Sequence, residues 1–495
     1  MSAIAVSTAD APELSEPLRA ARNALALGTA LAVTSAIAMA VRLLVPRVLG
    51  PAAFGELRLA ESFAEMVFVI LTFGVDMQLR REAAVDPSRA KRYLMGLAVW
   101  RISIGAVVIT SLLAILRATG AGTGVITVFV LLAIGQLLLV LNNSWAAYEH
   151  AAGDVRWLAR TNFGVKLLWA GAMLAALGGL RSGLGVALAG LVVEAIRCGW
   201  LTTRAIRHHG LGLRPDVRLA GTAILTSLPF FVHLLAYSLY ARLGVGWLGA
   251  ISTDLEVGLF GAASTFAGIA LIGMPLLSWV LVPSAARAAA QSPAHMDTLV
   301  AGALRASLLV AVPIVLVFAG AAAPLLSLVF GPDYAPAAPA LRVLAPTFGL
   351  AYVSTVCAIA LLQQGRVWTV ASISIAGLAL TVALDAVLIP WGMASLGDAG
   401  GAQGAAWATL VTEVLVTVVL AACSPRSWQN VQLVRTVGAL AAGIVAAMLM
   451  PSPVWSAIAG VCCVVALGGV RRDDLTFVLQ VLRPKAPVPS SSELS

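Results

Sequence analysis

The sequence predicts an all-α, polytopic membrane protein of about 14 transmembrane helices, built as two six-helix lobes in parallel repeat plus two extra C-terminal helices. Three observations carry that expectation. Hydrophobic residues fill 60% of the 495 positions and charged residues only 11%, too apolar a chain for one water-soluble core. Apolar runs recur at the length of about 20 residues that a helix rising about 1.5 Å per residue needs to cross about 30 Å of hydrocarbon. Two sequence patterns also return six helices later, in the same order.

The runs fall at roughly 23–45, 57–78, 93–116, 123–145, 160–180 and 183–205, then 222–249, 257–282, 301–323, 341–362, 367–389 and 401–422, and lastly 433–450 and 453–470. Residues 1–22 read as a cytoplasmic tail, 23–206 as the N-lobe, 207–221 as a cytoplasmic inter-lobe loop and 222–423 as the C-lobe. Residues 424–470 hold the two added helices. The tail 471–495 ends in PKAPVPSSSELS, too poor in apolar side chains to fold. Stretches such as AVVITSLLAIL (106–116) lack the alternation of a membrane β-barrel. Asp10, Glu13 and Glu16 are the wrong charge for the opening of a signal peptide, so the first run reads as a retained helix.

With the N-terminus inside, 23 of the 32 Lys and Arg residues fall on the cytoplasmic side, which predicts both termini there. The net charge of +9 is then mostly topology, together with attraction to anionic membrane lipids. It is spread over many short loops and forms no stripe for nucleic acid. The five cysteines have neither metal nor disulfide spacing and read as small apolar fillers. No metal or cofactor is expected.

The first repeated pattern is Gly-x-Ala-x-Ala-x-Leu-Val-x-Glu, in GVALAGLVVE (185–194) and GAAWATLVTE (404–413), 219 residues apart. The second pairs GELRLAESFA (55–64) with GLFGAASTFA (258–267), at an offset of 203. An even helix separation keeps both copies pointing the same way, about an axis along the membrane normal. Two such lobes enclose a cavity that rocking opens to either side, which is a transporter plan. Glu194 and Glu413 take equivalent places in it, and small residues before each permit close packing. Two readings are open for them: ion coupling, or a neutral or paired carboxyl bonded to a neighbouring helix.

RLLVPRVLGPAAFGELRLAESF (42–63), FGVDMQLRREAA (73–84), SLPFFVHLLAYSLYARL (227–243), VGLFGAASTFAG (257–268), VPSAARAA (282–289), LLSLVFGPDYAPAAPALRVLAP (325–346) and AVLIPWGMASLGDAGGAQGAAWATLV (386–411) resemble, in order, the bacterial polysaccharide-biosynthesis membrane proteins. These are lipid-linked oligosaccharide flippases of the multidrug and oligosaccharidyl-lipid exporter superfamily. The resemblance spans about 20–423. It implies alternating access in the bacterial cytoplasmic membrane, a polyprenyl-diphosphate glycan as cargo, and partners among polysaccharide-assembly proteins. Where many relatives carry Arg-x-Asp in helix seven, this chain has Arg242, Leu243 and Gly244, so the acid is missing.

For an anionic diphosphate cargo the candidate binding residues are Arg42, Arg58, Lys166 and Arg242, because guanidinium forks and ammonium groups suit phosphate oxygens. Arg42 and Arg242 lie 200 residues apart, near the lobe offset. Snorkelling to the interface competes as a reading for Arg42, Arg242 and Lys166, and for the weaker candidate Arg101. Glu61, Glu65, Glu194 and Glu413 are candidates for ion coupling. Arg58, Glu61 and Glu65 share one helix face, so the first two also read as a plain ion pair. Asp76 reads as a solvated partner of Arg80 and Arg81, while Asp385 and His233 are possible relay groups. Pro229, Pro275, Pro283 and Pro313 mark helix bends, and Trp145, Tyr148 and Trp157 read as interfacial anchors.

A rival reading keeps the scaffold and makes it a cation-coupled exporter of small molecules, for which acids should dominate the cavity. A membrane-embedded polymerase or ligase should need a sizeable external loop, and no predicted external loop exceeds about twenty residues. No phosphate-binding Gly-x4-Gly-Lys or His-Glu-x2-His pattern occurs, and no enzymatic activity is expected.

Overall fold

The computed structural model describes residues 36–75, 79, 87–120, 122–151, 155–209, 215–271 and 274–424, with 442 and 462 as isolated positions. Every regular element among them is helical. In chain order these are α1 (36–49), α2 (Pro51–Phe68), a 3-10 turn (Val69–Thr72), α3 (Pro87–Ala118), α4 (Thr123–Ala151), α5 (Val155–Gly179) and α6 (Gly183–His209). There follow α7 (Val217–Thr226), α8 (Leu228–Ile251), α9 (Asp254–Ala270), α10 (Met274–Gln291), α11 (Pro293–Gly320), α12 (Ala322–Val329), a second 3-10 turn (Pro332–Ala337), α13 (Ala338–Gln363), α14 (Val367–Ser395) and α15 (Gly400–Cys423). Each of the first twelve predicted spans meets one of these helices or a broken pair of them. Eight of the described helices are long and apolar enough to cross a membrane. Predicted helices thirteen and fourteen, both tails, and Asp76 with Arg80 and Arg81 lie outside the described residues.

Local chemistry sets the helix ends. Gly50, at φ +77°, turns the chain out of α1, and Pro51 opens α2 where its missing N–H costs nothing. Thr253 caps α9 by accepting from the Glu256 N–H, with Asp254 and Glu256 in the first turn against the helix dipole. Asp216 caps α7 through the Leu219 N–H at 2.9 Å.

Helix seven is not continuous, contrary to the single span expected over 222–249. It breaks at Ser227, and Pro229 in the first turn of α8 cannot donate back across the break. The two pieces pack on different partners: α7 lies on α3, and α8 lies on α14 and α15. In helix eight α9 ends at Ala270 and α10 begins at Met274.

Packing partners repeat between the halves. In the first, α6 packs on α4 and α5 while α3 packs on α4; in the second, α15 packs on α13 and α14 while α11 packs on α13. One hydrophobic cluster spans both halves, joining Phe54, Leu57 and Val186 to Leu248, Phe266 and Leu341. The halves meet closely where α2 crosses α9. A Cβ on Gly55 would strike the Asp254 carbonyl oxygen, and one on Gly258 would strike the Pro51 carbonyl oxygen. Positions 51 and 254, like 55 and 258, are 203 apart, so the contact is reciprocal and is made by the repeated motif itself. Nearby, Tyr334 donates to the Pro46 carbonyl at 2.8 Å and Arg47 to that of Leu328 at 3.0 Å.

Arg101 does not snorkel. It is fully buried on α3 and donates to the carbonyls of Leu71 (2.7 Å), Thr72 (3.1 Å) and Val140 (3.2 Å), and to the Ser144 hydroxyl. The guanidinium thereby occupies carbonyls that α2 leaves without intrahelical donors as it tightens into the 3-10 turn. Trp145 and Tyr148 are not interfacial either: both are buried in the core of the first half. Trp157 lies under the Arg204 guanidinium, 4.1 Å from its ring centroid.

Gly55→Ala and Gly258→Ala should each cost about 1–3 kcal/mol, because the added methyl meets backbone that cannot rotate away. The check is the thermal midpoint of purified protein in detergent, with Gly171→Ala, in open space on α5, lowering nothing. By the same measurement Arg101→Met should cost about 1–3 kcal/mol, since the Leu71 carbonyl and the Ser144 hydroxyl lose their buried partner.

Candidate functional site

Beside the α2–α9 crossing, helices α1, α2, α4, α5 and α6 of the first half surround a cavity of about 520 Å³, closed on one side by α8 and α9. Arg42, Arg58, Lys166 and Arg242 all line it, as do Glu61, Glu65 and Glu194. Seven of the eight residues singled out from sequence are thus brought to one place. The eighth, Glu413, is not there.

Each acid in the cavity has a cation. Arg58 donates to Glu61 one turn along α2, at 3.3 Å. Arg242 reaches across from α8 to Glu65, its Nε 2.5 Å from Oε2, and its Nη1 donates to Ser238 at 3.0 Å. This pair joins the two halves through the cavity wall. Glu65 lies in the field of Arg58 and Arg42 as well. Glu194 accepts from Asn142 of α4 at 2.8 Å and from Arg197 at 3.4 Å. Arg197, one turn further along α6, therefore serves as an intrahelical counter-ion.

Arg42 and Lys166 remain. Among the described residues neither forms an ion pair, and Lys166 stands 5.7 Å from the centroid of the Trp169 ring, within cation–π range. The lining itself carries four cations against three acids, and because Glu194 takes Arg197 from outside it, Arg42 and Lys166 are both left without an ion pair among the described residues. Gln136, Ser264 and Thr265 add neutral hydrogen-bonding groups. Sequence reading passed over them and over Asn142, although paired amides inside LLLVLNNSW were a visible signal.

Glu413 lies in the second half, buried, with Oε2 accepting from the Tyr240 hydroxyl at 3.2 Å and Oε1 3.2 Å from the Ser354 hydroxyl. Both motif acids bond a polar residue on the equivalent neighbouring helix: Asn142 on α4 for Glu194, Ser354 on α13 for Glu413. The small residues before Glu413 do allow close approach, since a Cβ on Gly404 would strike the Leu388 carbonyl of α14. In the first copy the matching Gly185 is close to side chains rather than backbone, a Cβ there falling 3.0 Å from that of Leu180.

Gly244, where an Asp was missing, leaves room that Asp385 of α14 faces. A Cβ at 244 would lie 3.7 and 3.8 Å from its two carboxyl oxygens. Asp385 is fully buried, and neither oxygen has a hydrogen-bond partner among the described residues. His233 bonds Ser374 at 2.8 Å, fixing α8 to α14. Among the described residues no group of His, Cys, Asp and Glu has the makings of a metal site.

No protein-family model matches the chain, and no curated protein matches it. Solved structures do. An inward-facing multidrug-resistance MATE-family transporter of the MOP superfamily superposes with a TM-score of 0.65 at 14% identity, over 81% of this chain and 96% of that one. The lipid II flippase MurJ, in an inward closed conformation, gives 0.62 at 9% identity over 93% and 100%. An outward-facing MATE-family transporter gives 0.57 at 16% over 83% and 96%. At such identities the likeness is one of architecture: the chain is an all-α, multi-pass membrane protein with the fold that MATE transporters and MurJ share.

Proposed function

We propose that the protein is a flippase that carries a polyprenyl-diphosphate-linked oligosaccharide across the bacterial cytoplasmic membrane by alternating access, with both termini cytoplasmic. The carrying observation is the sign of the cavity lining. Its three carboxylates each form an ion pair with an arginine, one of them, Arg197, from outside the lining, while Arg42 and Lys166 form none among the described residues, which leaves the lining net positive. That favours an anionic headgroup over the cation-coupled exporter, for which acids should dominate the cavity. A structural neighbour that is a lipid II flippase supports a lipid cargo on this scaffold.

Magnitudes support the same reading. A guanidinium makes the same kind of charge-assisted bond to phosphate as to carboxylate, each worth about 1.5–3 kcal/mol, and a diphosphate offers more acceptor oxygens than Glu65. A diphosphate entering beside Arg42 and Lys166 can therefore draw Arg242 away from Glu65. Binding would then release the tie between the halves, so cargo and movement are linked through one guanidinium.

The test is reconstitution in vesicles with a short-chain polyprenyl-diphosphate glycan as probe. Wild-type protein should move the probe between leaflets, and Arg42→Ala and Lys166→Ala should each slow it by about 10–100-fold, the equivalent of one charge-assisted bond. Folded protein that moves no more probe than empty vesicles would overturn the reading. Arg242→Ala and Glu65→Ala should fail to add in a double-mutant cycle of transport rate, with a coupling of about 0.5–3 kcal/mol.

A further inference from the structure

Trp169 lines the cavity but has no part in holding a diphosphate. It stands on α5 between Lys166, one turn before it, and Met173, one turn beyond, and all three belong to the lining at i, i+3 and i+7 of one helix face. Across from them α6 presents Ala187, Gly190 and Glu194 at the same spacing. Only residues 180–182 join the two helices, so they run antiparallel. Lys166 accordingly lies in the field of Glu194, while a Cβ on Gly190 would fall 3.7 Å from the terminal methyl of Met173. The indole is left between these two levels, beside a position that offers no side chain.

That position is open. No indole atom comes within 4 Å of where the Gly190 Cβ would lie, and a Cβ on Gly135 of α4, also in the lining, would meet nothing within 4 Å. Two glycines therefore keep room in the cavity wall that other residues would fill.

The chemistry around this room selects its occupant. The face of an indole is electron-rich, and here it already attracts the Lys166 ammonium, 5.7 Å from the ring centroid. A sugar ring offers the same kind of partner, with partly positive C–H groups on one face and hydroxyls around its edge. Thr265 spends its hydroxyl hydrogen on the Gly261 carbonyl of its own helix at 2.8 Å, so toward the cavity it only accepts. The Gln136 amide both donates and accepts, and both residues suit sugar hydroxyls. An organic cation would meet Lys166 on the indole face. A sugar joined to a diphosphate instead brings the charge that draws Lys166 away.

We propose that Trp169 is the specificity-determining residue for the glycan: its indole stacks on the sugar joined to the diphosphate, in the room left by Gly190, and Lys166 covers the ring face until phosphate takes it. The assignment rests on the flippase reading above and adds an order of events. The charged group is engaged first, and the sugar is read second.

Equilibrium binding to the purified full chain in detergent tests this with two probes, a short-chain polyprenyl diphosphate and the same lipid carrying one hexose. The wild type should bind the hexose-bearing lipid about 3–30-fold more tightly, the worth of one well-placed contact on an aromatic face. Trp169→Ala should lose that preference and bind the bare lipid at least as tightly as before, because Lys166 no longer has a ring competing for it. Trp169→Phe, which keeps a ring face, should retain most of the preference. Gly190→Leu, which fills the room without touching the ring, should abolish it. Lys166→Ala should weaken both probes and leave their ratio in place. Equal affinity of the wild type for the two lipids, or a preference that survives Trp169→Ala, overturns the assignment and leaves the flippase reading standing. A wild type that binds neither lipid overturns both.

Discussion

The close approach of two backbones, at Gly55 and Gly258, sets the geometry on which the remaining structure depends. Where hydrocarbon surrounds a protein, apolar contact with a neighbouring helix gains little over contact with lipid, so close packing through small residues supplies the attraction. Here the glycines let the carbonyls of Pro51 and Asp254 press on the opposite helix in a reciprocal arrangement. That crossing fixes how near α8 and α9 lie to the first half. The cavity exists because these helices close one of its sides, and Arg242 reaches Glu65 only because they lie so near.

A second constraint governs the charges. An ion out of water must be partnered, but its partner need not carry the opposite charge. Arg101 takes backbone carbonyls and a serine hydroxyl, Arg242 takes a carboxylate on the other half, and Arg197 takes one on its own helix. Glu413 takes two hydroxyls. Equivalent positions in the repeat thus hold similar side chains in unlike electrostatic settings, although the helices of the two halves choose the same packing partners.

The helices and their repeat were legible because they rest on composition and spacing, which a single chain displays directly. The gathering of Arg42, Arg58, Lys166 and Arg242 was legible in outline, since intramembrane charge is rare enough to stand out. Partner choice was not. Whether Arg101 rises to the interface or turns inward depends on Leu71, Thr72 and Val140, which stand apart in sequence and meet only when α2, α3 and α4 pack. Trp145 and Tyr148 look like interfacial rings by position, yet packing against the rest of the first half buries them. Gly244 shows the limit most plainly. Reading along helix seven finds an acid absent, and only the fold reveals Asp385 standing beside the gap.

In the alternating-access cycle proposed above, the interruption at Ser227 would serve as a mechanical joint. With α7 fastened to α3 and α8 to α14, a change in angle between the halves concentrates in the few torsions around that residue. The 24 residues of α8 then form a lever about 36 Å long, so a swing of about 10° carries its far end about 6 Å. Arg242, rather more than halfway along, would travel about 4 Å, beyond the reach of a hydrogen bond to Glu65. A small bend at one unremarkable serine would thereby be geared up into the parting of two charges.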